Sequence, residues 1–356
     1  MLRYAWRRNR DGALPGSKTL TPERTARQER LFDIIHRFPQ RQIVVVGDLV
    51  ADQFIYGAIN RVSREAPVFI LRHEHTETTP GGAANCALNL ASLGAGVSLI
   101  GVTGDDLAGR ALLEKLQAAG VDCSGVYVSP NLKTTTKVRI LAGQLHSTRQ
   151  QVIRIDYEGS PLEDSKLRGW VQEQTARHAA ESDGVIISDY NYGVVDTAVA
   201  DLIRQATISK KTPVIVDSRF QLSLFPNFTS ATPNEDEVEN LLGQALANGD
   251  NFESLGETLR GQLGLSALLV TRGGQGMALF EAGMTPMHID AVGAREPVDV
   301  TGAGDTVIAT YTLAIASEAS FSDAARLANY AGGLVVMKRG TASTNGEELI
   351  ASILRS

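Results

Sequence analysis

A chain of 356 residues, 43% hydrophobic and 21% charged, is long enough for one large α/β domain with its own core, and its composition is that of a globular enzyme. The formal net charge of −6 argues against a nucleic-acid partner, so any phosphate-bearing ligand must be met by local devices. Two cysteines outside any C-x-x-C pair, Cys86 and Cys123, argue against a disulfide framework or zinc site and fit a reducing cytoplasm; no apolar run reaches the roughly 18 residues of a membrane helix.

The first residues are basic (Arg3, Arg7, Arg8, Arg10) with no apolar stretch behind them, unlike a secretory signal. Residues 1–35 read as an N-terminal extension, partly disordered, ahead of one domain over 36–356. Ile43 to Val46 is an apolar strand ending in Gly47-Asp48. Residues 53–80 read as β-rich. Ala83 to Leu93 has helical spacing and stops at Gly94, Val97 to Val102 is a strand, and Leu107 to Ala119 is a helix stopping at Gly120. Residues 131–156 are again β-rich, with polar and apolar residues alternating as in a strand with one wet face. Gly184 to Ser188, Pro213 to Val216 and Ala267 to Val270 complete five strands that run into polar or glycine-rich turns. The alternation predicts an α/β fold with a central, mostly parallel sheet flanked by helices, and ligands bind outside the carboxyl ends of such strands. The two β-rich stretches predict a small β-sheet lid over that edge.

The strongest chemical signal is Asp299-Val300-Thr301-Gly302-Ala303-Gly304-Asp305, ahead of a helix-compatible run from Thr306 to Ala316. A Gly-Ala-Gly turn lets backbone N–H groups approach an anion, and the helix start adds free donors and a positive dipole end. Asp305 at the edge of that cradle is placed to take a proton from an attacking hydroxyl. A bare Gly-Ala-Gly-Asp is equally a tight turn; the flanking Asp299 and Thr301 favour the cradle. There is no G-x-x-x-x-G-K-[ST] and no G-x-S-x-G. His73 and His75 lack a third metal ligand nearby in sequence.

This segment resembles the C-terminal signature of the ribokinase/PfkB family of carbohydrate kinases. Gly81-Gly82-Ala83-Ala84-Asn85 resembles its N-terminal signature, and Asn234-Glu235-Asp236-Glu237 its N-x-x-E motif. The resemblance implies a ribokinase-like fold and ATP-dependent phosphorylation of a sugar. It implies Asp305 as base, Gly302, Ala303 and Gly304 as anion hole, and Asn234 and Glu237 organising Mg²⁺ and its waters. Asn234 and Glu237 are also a plausible helix cap. Thr271, Gly273, Gly274, Gly276 and Asn329 are implied to bind the nucleotide. Asp299, Thr301, Gly340 and Thr344 resemble the monovalent-cation site of some members, which adds K⁺ to the expected cofactors. Asp48, Asp52, Gly81, Gly82, Asn85 and Asp189 are the expected sugar contacts.

The series Gly47 to Asp52, Tyr56-Gly57, Arg61 to Val68 and Pro80 to Asn85 is similar to the kinase half of bacterial ADP-heptose synthases. That half phosphorylates C1 of D-glycero-β-D-manno-heptose 7-phosphate, an intermediate on the way to lipopolysaccharide. Lys137, Arg139, Arg149 and Arg154 then become partners for a sugar phosphate. The family's Ser-Asp-Tyr-Gly-Lys-Gly reads Ser188-Asp189-Tyr190-Asn191-Tyr192-Gly193 here, its Asp-Pro-Lys reads Asp217-Ser218-Arg219, and extra residues sit around Gly143 to Ser147. No H-x-G-H segment is present, so adenylylation is expected from another protein. A kinase of another sugar, such as fructose or ribose, and a non-catalytic binding relative remain alternatives. The resemblance also implies a homodimer through the lid.

Overall fold

The computed structural model describes residues 22–143, 149–159, 164–244, 251–293 and 297–356. The basic N-terminal residues and most of the insertion near Gly143 to Ser147 lie outside them. Helix α1, Pro22–Arg37, packs on the domain: Leu31, Ile34 and Ile35 are buried, and Gln28 donates to the Ile353 carbonyl at 3.0 Å. An extension reaching residue 35 was expected, but the apolar residues of Leu31 to Phe38 recur at helical spacing and have a core to join.

The large sheet comprises β1 (Gln42–Gly47), β4 (Gly96–Gly104), β5 (Asp122–Ser129), β8 (Gly184–Asp189), β9 (Val214–Ser218), β10 (Ser230–Ala231), β11 (Ala267–Thr271), β12 (Met277–Glu281) and β13 (Met287–Ile289). Their order is β13-β12-β11-β10-β9-β8-β1-β4-β5, parallel from β11 to β5, with β12 and β13 added antiparallel. Strands such as Ile43–Val46 and Val185–Ile187 are apolar on both faces because helices cover both. One apolar cluster holds α1, α2 (Ala83–Ser92), α3 (Leu107–Ala118), α8 (Ala303–Ala316), α9 (Phe321–Val335) and α10 (Gly346–Arg355) against the sheet. The other holds α4 (Ser165–Glu181), α5 (Thr197–Thr207), α6 (Glu235–Leu242) and α7 (Phe252–Gln262).

The second sheet has the order β3-β2-β6-β7, from β2 (Leu49–Val62), β3 (Phe69–Gly82), β6 (Thr136–Gly143) and β7 (Gln150–Tyr157). It begins earlier than expected: β2 leaves the main sheet directly after Asp48, and Gly81 and Gly82 end β3, paired with Val50 and Leu49. Gly82 then turns the chain into α2 at φ 57°. The small sheet is therefore rooted at β1 and at α2, which packs on α8.

Candidate active site

The carboxyl ends of β8, β9 and β11 and the N-termini of α6 and α8 enclose a cleft of about 450 Å³. Asp189, Tyr190, Asp217, Arg219, Thr232, Asn234, Glu237, Thr271, Val300 and Gly304 line it. Asp305 follows the cleft-lining Gly304 in the first turn of α8 and is only 4% exposed. Asn85 Nδ2 donates to its Oδ2 at 2.8 Å, Tyr190 Oη donates to its Oδ1 at 3.0 Å, and Cys86 Sγ lies 3.7 Å from Oδ1. Burial pushes the carboxyl up to about 6, against the Asn85 and Tyr190 hydrogen bonds, which favour the charged form. Asn85 is itself fixed: Asn89 Nδ2 donates to its Oδ1 at 3.1 Å, and Thr306 Oγ1 donates to Asn89 Oδ1 at 2.9 Å. A buried polar chain thus ties α2 to α8 and sets the Asp305 rotamer.

The glycines before Asp305 differ in role. Gly302 caps α8 at φ 75°, and a Cβ there would meet Asn85 Nδ2 at 2.5 Å and Thr341 Cγ2 at 2.7 Å. Ala303 opens the helix, and a Cβ on Gly304 would meet nothing within 4 Å. Gly304 thus borders open space at a helix start of at least three turns, where unpaired N–H groups and the dipole favour an anion.

On the small-sheet side, Asp52 and Arg139 form a nearly buried ion pair, and a Cβ on Gly81 would lie 2.6 Å from Asp52 Oδ2. Burial raises the Asp52 carboxyl, opposed by Arg139 and then Lys137. Arg154 pairs with Asp156 at 2.8 Å and Arg149 with Glu74. Lys137 is 8% exposed, and its ammonium lies 5.2 Å from the centre of the Tyr190 ring. The lid arginines expected to meet a phosphate are thus matched by acids, whereas Lys137 is not within ion-pair distance of one among the described residues.

Two expected sugar contacts are placed otherwise. The Asp48 carboxylate accepts the backbone N–H of Tyr190 (2.8 Å), Tyr192 (3.0 Å) and Val194 (3.2 Å), so it shapes the loop after β8. Burial pushes it up to about 6 despite these bonds. Asp189 accepts from Ser218 Oγ at 2.6 Å and from the Asn191 N–H, and it lines the cleft of Asn234 and Glu237. Both are strand-end carboxylates, and a strand end fixes a residue's place but not which loop its side chain organises.

Asn234 and Glu237 form a reciprocal capping box at the start of α6, and both line the cleft; the cap and the site coincide. Burial raises the Glu237 carboxyl. Burial, then Glu237, Asp305 and Asp189, pushes Asp217 well above the usual carboxylate range, with Arg219 opposing. Thr271 pairs with Asn234, and Gly273 and Gly274 open onto free space beyond it. Gly276 is a packing residue instead: at φ 90°, a Cβ would meet the Ile289 carbonyl at 2.0 Å. Asn329 also has a structural partner, donating to the Asp290 carbonyl at 2.8 Å. Asp299 accepts the N–H of Thr301 (3.0 Å) and Gly340 (2.9 Å), which hold its carboxyl low against its partial burial. Thr344 Oγ1 donates to Glu348 at 3.0 Å. Asp299, Thr301 and Gly340 are thus gathered about one carboxylate, and Thr344 is bonded to Glu348.

The model of the pfkB family carbohydrate kinases matches residues 40–348. The chain belongs to that family. Among curated relatives, this pfkB kinase is 41% identical over 325 residues to the bifunctional protein HldE of Pseudomonas fluorescens, covering 90% of this chain and 65% of that one. It is 38% identical over 317 residues to HldE of Hahella chejuensis, covering 88% and 63%. The chain thus matches just under two thirds of the length of those relatives. Among solved structures, a ribokinase of Arabidopsis thaliana complexed with ribose and ATP aligns with TM-score 0.69 at 22% identity, covering 88% of this chain and 98% of that one. Phosphofructokinase-2 of Escherichia coli in complex with substrates and products aligns with TM-score 0.71 at 20% identity, covering 88% and 99%. For the kinase, sequence reasoning missed Tyr190, Asn89, Thr306, Asp217, Arg219 and Thr232. Asn85 and Asn89 stand four apart in a helix otherwise of apolar and small residues, a legible sign of a buried polar stripe. Tyr190 directly follows a strand-end Asp, the position from which Asp189 was chosen.

Proposed function

We propose that this pfkB kinase transfers the γ-phosphoryl group of ATP to the C1 hydroxyl of a phosphorylated heptose, D-glycero-β-D-manno-heptose 7-phosphate, giving the 1,7-bisphosphate. The observation that carries the transfer step is the buried Asp305 carboxylate beside the open Gly304 helix start. The heptose follows from the motif series around Gly47–Asp52 and Pro80–Asn85 and from the likeness to HldE.

The sugar lies between Asp52, Gly81 and Asp305, and the ATP phosphates occupy the cleft of Asn234, Glu237 and Thr271. Asp305, raised to about 6, is ionised at neutral pH yet basic enough to take the hydroxyl proton. As the acceptor oxygen bonds to the γ-phosphorus, the bond to the ADP oxygen breaks, and free N–H groups near Gly304 receive the charge on the phosphoryl oxygens. Asp217 and Glu237 line the cleft together with Thr232 and Asn234, an oxygen-rich set that fits a hard cation. Held by Asp217 and Glu237, Mg²⁺ would supply charge neutralisation of the phosphates. Asp299 and Thr301 remain the residues this reading gives to K⁺, and no step is assigned to that ion.

The small sheet serves as lid and as dimer surface in this reading. Val152, Ile153, Ile155 and Tyr157 on its edge strand are 40–58% exposed, which suits burial against a second copy. Free Cys86 and Cys123 and a supply of ATP accord with the cytoplasm, and no helix among the described residues is long and apolar enough to cross a membrane. Release of ADP across a panel of sugars and sugar phosphates tests the assignment. Turnover of heptose 7-phosphate in preference to fructose 6-phosphate and ribose is expected; preference for either of those overturns it.

A further inference from the structure

Two cations near the candidate site, Lys137 and Arg219, form no ion pair among the described residues. Lys137, on β6 of the small sheet, is 8% exposed with its ammonium 5.2 Å from the Tyr190 ring centre. The acids nearest in its sheet are taken, Asp52 by Arg139 and Asp156 by Arg154. Arg219, just past β9 of the large sheet, lines the cleft beside Tyr190, Asp217, Glu237 and Gly304. Its guanidinium rests 5.8 Å from the Phe220 ring; it steadies the Asp217 and Glu237 carboxylates through space but forms no direct ion pair with them. Burial, followed by repulsion from Arg219, holds the Lys137 ammonium below the usual lysine range. Keeping an unpaired ammonium out of water beside a second cation is unfavourable unless an anion completes the site.

The location narrows that anion. The Tyr190 ring faces the Lys137 ammonium, Tyr190 lines the cleft with Arg219, and its hydroxyl donates to Asp305 at 3.0 Å. The Lys137 ammonium and the cleft-lining Arg219 therefore flank Tyr190, between the proton acceptor and the open Gly304 end of the cleft. A phosphoryl group in flight spreads its charge over three equatorial oxygens and is served by donors from more than one side. We propose that Lys137 and Arg219, one from each sheet, are catalytic residues that clamp the phosphoryl group during transfer. They give up no proton: the acceptor proton passes to Asp305, one P–O bond forms and one breaks. This makes position of the small sheet a condition of chemistry, since its lysine completes the clamp only when the sheet is seated. The inference rests on the kinase reading above.

The test compares Lys137→Met, Arg219→Met and Arg219→Lys with the wild-type enzyme, using ATP with the best sugar acceptor and, separately, inhibition by ADP plus aluminium fluoride. Each methionine variant is expected to lower kcat by about 10²-fold, with both KM values within about threefold and inhibition by the aluminium fluoride complex weakened in parallel with kcat; Arg219→Lys recovers part of the loss. Unchanged thermal unfolding separates this from misfolding, and the inhibition ratio is read against ADP alone so that a partly unfolded sample cannot mimic it. Retained kcat with a large rise in KM for the sugar phosphate overturns the clamp, because the cations then bind the phosphate that the sugar already carries. If the wild-type enzyme turns over a neutral sugar alone, the heptose assignment fails while the same kcat loss still upholds the clamp.

Discussion

Replacing Tyr190 by phenylalanine removes the hydroxyl that donates to Asp305 Oδ1 at 3.0 Å and leaves the ring in place under Lys137. Hydrogen bonds to charged groups contribute about 1.5–3 kcal/mol, and one pH unit corresponds to about 1.4 kcal/mol. The bond favours the carboxylate, so its loss raises the Asp305 carboxyl from about 6 by roughly one to two units. The base works only when ionised. The acid limb of kcat/KM for the sugar therefore moves from about 6 to between roughly 7 and 8. At pH 6.5 the variant is expected to lose roughly tenfold, and the difference narrows towards pH 9. Asp48 is also raised to about 6, but its partners are the backbone N–H groups of Tyr190, Tyr192 and Val194, which phenylalanine retains. A pH profile by coupled ADP release thus separates the two carboxyls. A limb that stays near 6 in Tyr190→Phe would refute Asp305 as the titrating base.

Asp305→Asn should abolish turnover yet stabilise the fold at alkaline pH. A folded carboxyl raised from 3.8 to about 6 destabilises by about 3 kcal/mol above pH 6 and not at all below 3.8, so the variant's advantage in thermal unfolding should shrink as pH falls through that window. Gly304→Ala is expected to keep the wild-type Tm and lose kcat, because its Cβ points into open space, whereas Gly302→Ala should lose both through its positive φ and the Asn85 contact. Arg139→Met leaves Asp52 buried without its partner and should cost about 3–5 kcal/mol in denaturant unfolding.

Much of this was legible in the chain. The strands Ile43–Val46, Val97–Val102 and Ala267–Val270 are apolar without alternation, the mark of a parallel sheet covered on both faces, and all three form. Gly94 and Gly120 end their helices at positive φ, as glycine after an apolar periodic run implies. Legibility declines where side-chain direction decides. Asp48, Asp52 and Asp189 look alike as acids at strand ends, yet one binds a loop, one pairs with an arginine and one takes Ser218. Gly276 and Gly274 stand two apart in one loop, and only the approach of the Ile289 carbonyl distinguishes the packed one from the open one. Tyr190 and Asn89 act on Asp305 across more than 100 residues of sequence, directly for one and through Asn85 for the other. Such contacts belong to tertiary packing and leave no local pattern.

The central claim is transfer from ATP to a phosphorylated heptose with Asp305 as base. Its most direct measurement is phosphorus NMR of the product formed from ATP, Mg²⁺ and heptose 7-phosphate, by wild-type protein and by Asp305→Asn. The account predicts a 1,7-bisphosphate with stoichiometric ADP from the wild type and none from the variant. A product phosphorylated elsewhere, or the same product from Asp305→Asn at an undiminished rate, would contradict it.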